Sequence, residues 1–374
     1  MILGSNQIQN RLTSWFMRRT APSGGRRVAA LSAAVASEIG SVRDDNQDRV
    51  AIARGQDFAG RSFILVALSD GIGGMKNGAE CAATALGGFF GSFFDEVQLD
   101  CEPEQWLSRA AFKSNSAVHA KLEGAGGSTL VAVLISSGGG VYWLSVGDSR
   151  VHHSLGTRLT QISVDDTIAG QLGKHVEAGI GQSNLLQFIG MGKQLEPHVS
   201  RLETGLHGSV LLTSDGVHFI NPDWIGQIIG HSPDPGVCVR RLAELAKWCG
   251  GPDNASVAMI ALDVAVDIPF SEPLYEIWDP FGELQIIIGA EQRMPTGNVG
   301  RSVSSPQSPI HKVSVDLACH PETQTKERQH KTKRSRGSRK PKVAAPKPEV
   351  VADKDGGSAV EVPQLLMKFP NKAS

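Results

Sequence analysis

The chain has 374 residues, 40% hydrophobic and 20% charged, enough for one large domain or two smaller ones with a genuine core. A formal net charge of −1 gives no whole-molecule field toward nucleic acid or anionic lipid, so any such attraction has to be regional. The apolar runs are strand-sized, which excludes a spanning helix of about 18 apolar residues, and five cysteines without a C-x-x-C pair exclude a zinc ribbon or disulfide framework and suit a reducing, cytoplasmic setting.

Residues 1–27 carry Arg11, Arg18, Arg19, Arg26 and Arg27 and no acidic residue. They read as a basic N-terminal extension, mobile and solvated, with an organelle transit peptide as the second reading of that charge balance. From 28 to 265 short apolar runs follow one another: "VAALSAAVAS", "RVAIA", "SFILVALS", "STLVAVLIS", "VYWLSVG", "SVLLTS" and "ASVAMIAL". Each has strand length and stops at Gly, Asp or Asn. Between them, Ala79, Ala82, Ala83, Leu86, Phe90, Phe93 and Val97 recur at helical spacing, and Leu107, Ala111, Val118 and Leu122 form a second stripe after Pro103. Asn221-Pro222 predicts the start of a helix, and a further one runs from Val237 to Trp248 and closes at Gly250-Gly251. Hairpin-like stretches such as residues 128–154 imply antiparallel pairing. The expected fold class is therefore α+β: two antiparallel sheets packed as a sandwich with helices outside.

After 265 the texture changes. Residues 266–291 read as an appended hairpin or docking strand about the Asp279-Pro280-Phe281-Gly282 turn. Residues 292–374 are rich in Ser, Pro, Lys and Arg and read as a disordered basic tail. Its densest block, Lys326 to Lys342, would be a handle for an acidic or nucleic-acid partner; a solvated linker is the plainer reading.

Acidic residues at strand ends recur four times: Asp70 in "LSDGIGG", Asp148 in "SVGDSR", Asp215 in "LTSDGVHF" and Asp253 in "GPDNASV". One Asp-Gly is ordinarily a turn. Four carboxylates converging on one place would repel unless a cation compensated them, and oxygen ligands without His or Cys select Mg²⁺ or Mn²⁺ over zinc.

"VRDDNQDRV", "LSDGIGG", "GGSTL", "SVGDSRV", "LTSDGV" and "DNASV" stand in the order and spacing of the metal-dependent protein phosphatases, the type 2C serine/threonine family, which residues 28–265 resemble. The resemblance implies two antiparallel sheets between helices. It also implies hydrolysis of phosphoserine and phosphothreonine in proteins, by a water that two ions of Mg²⁺ or Mn²⁺ activate, with a weaker third ion and no covalent enzyme intermediate. By the same resemblance Asp70 bridges the two ions, the Gly71 carbonyl reaches the second, Asp215 and Asp253 ligate, and Asp148 helps hold the third. Arg43 matches the phosphate-binding arginine and Asp48 the acid that supports the first motif from behind. Asp165-Asp166-Thr167 resembles a segment with a structural role.

Two departures stand out. Ile72 replaces a histidine found in many eukaryotic members, as is common in bacterial ones. Gln47 replaces a metal-associated glutamate, which predicts a weaker second ion. Gln47 motivates the alternative of a weakly active or inactive phosphatase-fold regulator that binds phosphoproteins; the tail motivates that of a nucleic-acid-associated phosphatase. The implied partners are phosphoproteins and the kinase that modifies them.

Overall fold

The run Ser62–Asp70 sets the architecture, because it is apolar at successive positions and so must be covered on both faces. In a computed structural model of the chain, Phe63, Leu65 and Ala67 face a core shared with helices. The alternate residues Ile64, Val66 and Leu68 face a second sheet, as the two-residue period of a strand requires. The structure describes residues 5–72, 75, 77–172, 185–203, 207–263 and 274–287. All belong to the first of two units into which the chain divides, 1–294 with 369–374; the second, 295–368, lies outside the described residues. The expected tail at 292–374 therefore lies outside them too.

One sheet has six strands: β1 (Ser23–Val28), β2 (Ala33–Glu38), β7 (Arg150–Leu155), β8 (Arg158–Gln161), β10 (Ser209–Thr213) and β11 (Ala255–Ala261), in the order β1-β2-β11-β10-β7-β8. The other has seven: β3 (Asp48–Gln56), β4 (Ser62–Asp70), β5 (Leu130–Ser136), β6 (Gly140–Val146), β9 (His198–Arg201), β12 (Leu274–Asp279) and β13 (Gly282–Ile287), in the order β13-β12-β3-β4-β5-β6-β9. Every pairing is antiparallel. Valines and isoleucines from both sheets form the core between them. Helices α2 (Gly78–Glu96) and α3 (Pro103–Leu122) cover the outer face of the seven-stranded sheet. A short helix, α4 (Ile168–Leu172), follows β8, and on the other sheet lie α5 (Asp215–His218), α6 (Pro222–Gly230) and α7 (Pro235–Trp248). The expected sandwich flanked by helices is the observed fold. Asn221 caps α6 by accepting from Asp223 N at 2.8 Å.

The N-terminal residues correct the sequence reading, since they are no mobile arm. Ser5–Phe16 forms helix α1, and Ile8, Leu12 and Phe16, one turn apart, are buried in the same core as Phe90. Residues 23–28 are the edge strand β1. The approach of α1 explains why α2 tolerates glycines mid-helix: a side chain at Gly87 would stand 2.6 Å from the backbone N of Thr13, and at Gly91 it would stand 3.0 Å from Gln9 Cα. Of the arginines read as solvating charge, Arg18, Arg26 and Arg27 have ionic partners. Arg18 stacks on Trp15 and donates to Asp279 Oδ1 at 2.7 Å, fastening the β12–β13 hairpin to α1. Leu12 and Phe16 bury about 2–3 kcal/mol each, so deleting residues 1–17 is expected to cost about 4 kcal/mol or more in urea denaturation, with a visibly lower midpoint.

Candidate active site

Because every neighbouring pair is antiparallel, the start of one strand lies beside the end of the next. One end of the sandwich thus gathers the beginnings of β3, β7 and β11 and the ends of β4 and β10. Asp48 and Asp70 are directly opposed across the β3–β4 ladder. Asp215 opens α5 immediately after β10, Asp253 precedes β11, and Asp148 sits in the turn between β6 and β7, after Gly147 at φ +94°. A cleft of about 560 Å³ is lined by Arg43, Gln47, Asp70, Gly71, Asp148 and Asp253, with Asp215 beside them. Asp48 lies beneath the cleft, 2% exposed. All the residues singled out in the sequence are thereby brought to one place.

The electrostatics are those of crowded carboxylates. Burial, then the charges of Asp48, Asp215, Asp148 and Asp253, hold the Asp70 carboxyl well above the usual range, although one side of it opens to the cleft. Burial pushes Asp48 up to about 7 and Asp148 up to about 6, with Asp215 adding to both. Asp215 is raised by burial and by Asp253. Asp48 Oδ2 accepts from Ser214 Oγ at 2.8 Å. Its Oδ1 is buried with no donor among the described residues, and the Asp70 carboxyl is near enough to share a proton with it. A cluster that can stay together only by holding protons is one that a cation relieves.

The donor set fits a hard divalent ion. All the donors are oxygen, the type Mg²⁺ and Mn²⁺ take. Gly71 has no room for a side chain, which would run into the Gly78 carbonyl, so its backbone stays bare toward the cleft. Among the described residues no three His, Cys, Asp or Glu side chains form a ready-made cage. The carboxylates stand around the cleft, which leaves positions to water, as Mg²⁺ prefers. Arg43 Nη2 donates to Asp253 Oδ2 at 2.7 Å, and that bond raises the arginine's affinity for its proton further.

Several residues of the quoted motifs position the site without having been assigned a role from the sequence. Asn254, 3% exposed, accepts from Gln47 N at 2.8 Å and donates to the carbonyls of Ile39 and Asp45, tying down the loop that carries Arg43. Thr129 Oγ1 accepts from Asp70 N at 3.0 Å. Arg49 donates to the carbonyls of Phe16, Asn46 and Asp48, linking α1 to the first motif. Asp166, fully buried, accepts from Gly147 N at 2.9 Å and from His198 Nε2 at 2.8 Å, which fixes the turn bearing Asp148. Asp165 is held by a bidentate Arg150 at the cleft wall. Arg49, Thr129, Ser214 and Asn254 all lie inside the quoted motifs and Asp166 inside the segment read as structural, so their polar character was the available signal, while their individual partners were not legible. His218 also lines the cleft, and burial followed by Arg150 and His152 keeps it neutral, well below the usual imidazole range.

Among the described residues no cysteine lines this cleft. Burial pushes the Cys81 thiol up to about 11 and that of Cys238 up to about 12, so neither is a thiolate near neutral pH.

No family model matches the chain. The serine/threonine protein phosphatase PstP of Mycobacterium tuberculosis is 30% identical over 262 residues, covering 67% of this chain and 48% of that protein. The chain thus spans about half the length of the curated relatives it matches. Among solved structures, the PPM Ser-Thr phosphatase MsPP of Mycobacterium smegmatis, in complex with cacodylate, is 29% identical with a TM-score of 0.53, covering 62% of this chain and 99% of that one. The PstP/Ppp structure of M. tuberculosis is 28% identical with a TM-score of 0.51, covering 64% and 100%.

Proposed function

This chain carries a domain of the metal-dependent PPM family of serine/threonine phosphatases, and from that premise we propose that it hydrolyses phosphoserine and phosphothreonine in proteins. The observation that carries the reading is the set of carboxylates around one cleft with proton affinities raised by burial and by one another. Asp70, Asp215, Asp253 and the Gly71 carbonyl would hold two divalent ions, Mg²⁺ or Mn²⁺, and Asp148 would help hold a third. Bound there, the ions would supply a water nucleophilic at neutral pH and neutralise phosphoryl charge.

The chain's own residues do the rest. Arg43 presents a guanidinium fork at the cleft mouth that suits a phosphate dianion, exchanging its bond to Asp253 for the phosphoryl oxygens. Asp48, anchored by Ser214 beneath the cleft, fixes the Asp70 carboxyl opposite it. Ile72 in the cleft wall offers no proton, so the leaving alkoxide takes one from solvent. The cacodylate in the MsPP structure, a tetrahedral oxyanion, supports a site of this family shaped for phosphate. Phosphate release from a phosphothreonine peptide, abolished by EDTA and restored by Mn²⁺, tests the proposal; release that persists in EDTA would overturn it.

Gln47 lines the cleft with its carboxamide laid against Gly78, at the first turn of α2. An amide offers a dipole where a glutamate would offer a full charge. Gln47→Glu is therefore expected to lower the Mn²⁺ concentration for half-maximal turnover about tenfold, or about 1.4 kcal/mol. Coincident metal titrations of the two proteins would mean that the substitution is neutral. The reading of an inactive regulator is not favoured, because the carboxylate set is otherwise complete.

Among the described residues no helix is long and apolar enough to cross a membrane. Cys81, Cys101, Cys238 and Cys249 are free thiols, which supports a cytoplasmic setting. The sequence carries two further partner proposals: a kinase that installs the phosphate, and an acidic or nucleic-acid partner for residues 326–342, which lie outside the described residues.

A further inference from the structure

A second groove, larger than the active cleft, lies elsewhere on this domain. It measures about 780 Å³ and opens between β1 and α7, which packs over β2 and β11 and also touches β1. Gly25 and Ala36 supply a floor with almost no side chain. The groove carries Arg26, Arg27, Arg240 and Arg241. Two of its acids are already neutralised: Glu38 Oε1 lies 3.1 Å from Lys247 Nζ, and Asp234, which caps α7, lies 3.5 Å from Arg27 Nε. Arg26, Arg27, Arg240 and Arg241 together with Lys247 outnumber Glu38, Asp234 and Glu244, so the groove is net positive, although Arg241 also donates to the His231 carbonyl at 3.0 Å.

The strand beside it is open. Among the described residues β1 ends its sheet and is hydrogen-bonded to β2 alone, so the alternate N–H and C=O groups of its outer side face away from the sheet, as an added strand requires. Val28 points into the core between the sheets. By the two-residue period Arg26 shares that face and Arg27 takes the opposite one, so the two guanidiniums straddle the edge. Among the described residues Arg26 Nε is buried without a partner, and its Nη1 lies 3.7 Å from the exposed Glu283.

We propose that this edge and groove dock an acidic, extended segment of the phosphoprotein substrate, away from the phosphorylated residue. The identity of the partner as substrate rests on the phosphatase reading. The docking segment would add to β1 by main-chain hydrogen bonds, and its carboxylates would alternate between Arg26 on one side and Arg27 and Arg240 on the other. Charge complementarity selects an acidic segment over an apolar one.

Fluorescence anisotropy of a labelled, non-phosphorylated peptide of alternating glutamate and threonine tests the docking without any turnover. The full chain is expected to bind it, more weakly as salt rises. Arg26→Glu combined with Arg240→Glu is expected to weaken binding about tenfold or more. Arg240→Gln alone, at an exposed helix position, should weaken it in the same direction if the double variant melts early. In turnover, a phosphothreonine peptide carrying that acidic extension should show a raised KM and an unchanged kcat on the double variant, while the short peptide is unaffected. Equal binding by variant and parent, no binding by the parent, or tighter binding of a DNA oligonucleotide would overturn the proposal. If no phosphopeptide is turned over but the acidic peptide binds through Arg26 and Arg240, the groove stands and the phosphatase reading falls.

Discussion

Asp70→Asn is expected to lower turnover of a phosphothreonine peptide by about three orders of magnitude or more without loss of the fold. Asp70 is the carboxylate on which the others converge: Asp48, Asp215, Asp148 and Asp253 all raise its proton affinity. Replacing it with an isosteric amide removes one full charge from the metal donors and leaves the β3–β4 ladder in place. Its backbone N–H to Thr129 Oγ1 and its carbonyl, which accepts from Thr129 N at 2.8 Å, also survive. The same change relieves repulsion, so the variant should melt no lower than the parent when both are metal-free. Turnover near the parental level would remove Asp70 from the chemistry.

The second large effect is on stability without metal. Asp48 and Asp148 are raised in the folded protein from an ordinary value of 3.8 to about 7 and about 6, in each case first by burial and with Asp215 adding its charge. Between the unfolded and folded values the native state binds more protons than the unfolded chain. Stability is therefore fully present below about pH 4 and declines as pH rises through the folded values. One unit is about 1.4 kcal/mol, so Asp148 alone contributes a loss of about 3 kcal/mol by pH 8, and the cluster contributes more. In EDTA the melting temperature should fall steadily from pH 5 to pH 8; saturating Mn²⁺ should flatten the decline, and Asp70→Asn should reduce it. A metal-free melting temperature that is constant or rising over this range would show that the carboxylates are compensated some other way.

The sandwich was legible because its central strands, such as Ser62–Asp70, Leu130–Ser136 and Ala255–Ala261, are buried on both faces and read as apolar runs, whereas the exposed edge strands β1, β8 and β9 gave no such signal. The residues around the cleft were legible because antiparallel neighbours put strand ends together and each carboxylate sits at such an end. Helix α1 was hidden by the basic character of residues 1–27: Arg11 within it and Arg18 and Arg19 just after it drew the reading, while only Ile8, Leu12 and Phe16 make the buried stripe. Gly87, Gly88 and Gly91 were the overlooked clue, since a run of glycines inside a helix has a use only where another backbone comes close. The supporting bonds of Arg49, Thr129 and Asp166 join residues far apart in the chain, and local pattern carries no record of such pairings.

Calorimetric titration of the metal-free protein with Mn²⁺ near neutral pH, repeated in buffers of different ionisation enthalpy, tests the central claim that the carboxylate cluster is a divalent-metal site. Binding should release protons, because Asp48, Asp70 and Asp148 hold them longer than ordinary carboxyls do, and Asp70→Asn should weaken binding and release fewer. No binding heat up to millimolar Mn²⁺, or identical isotherms for Asp70→Asn and the parent, would contradict it.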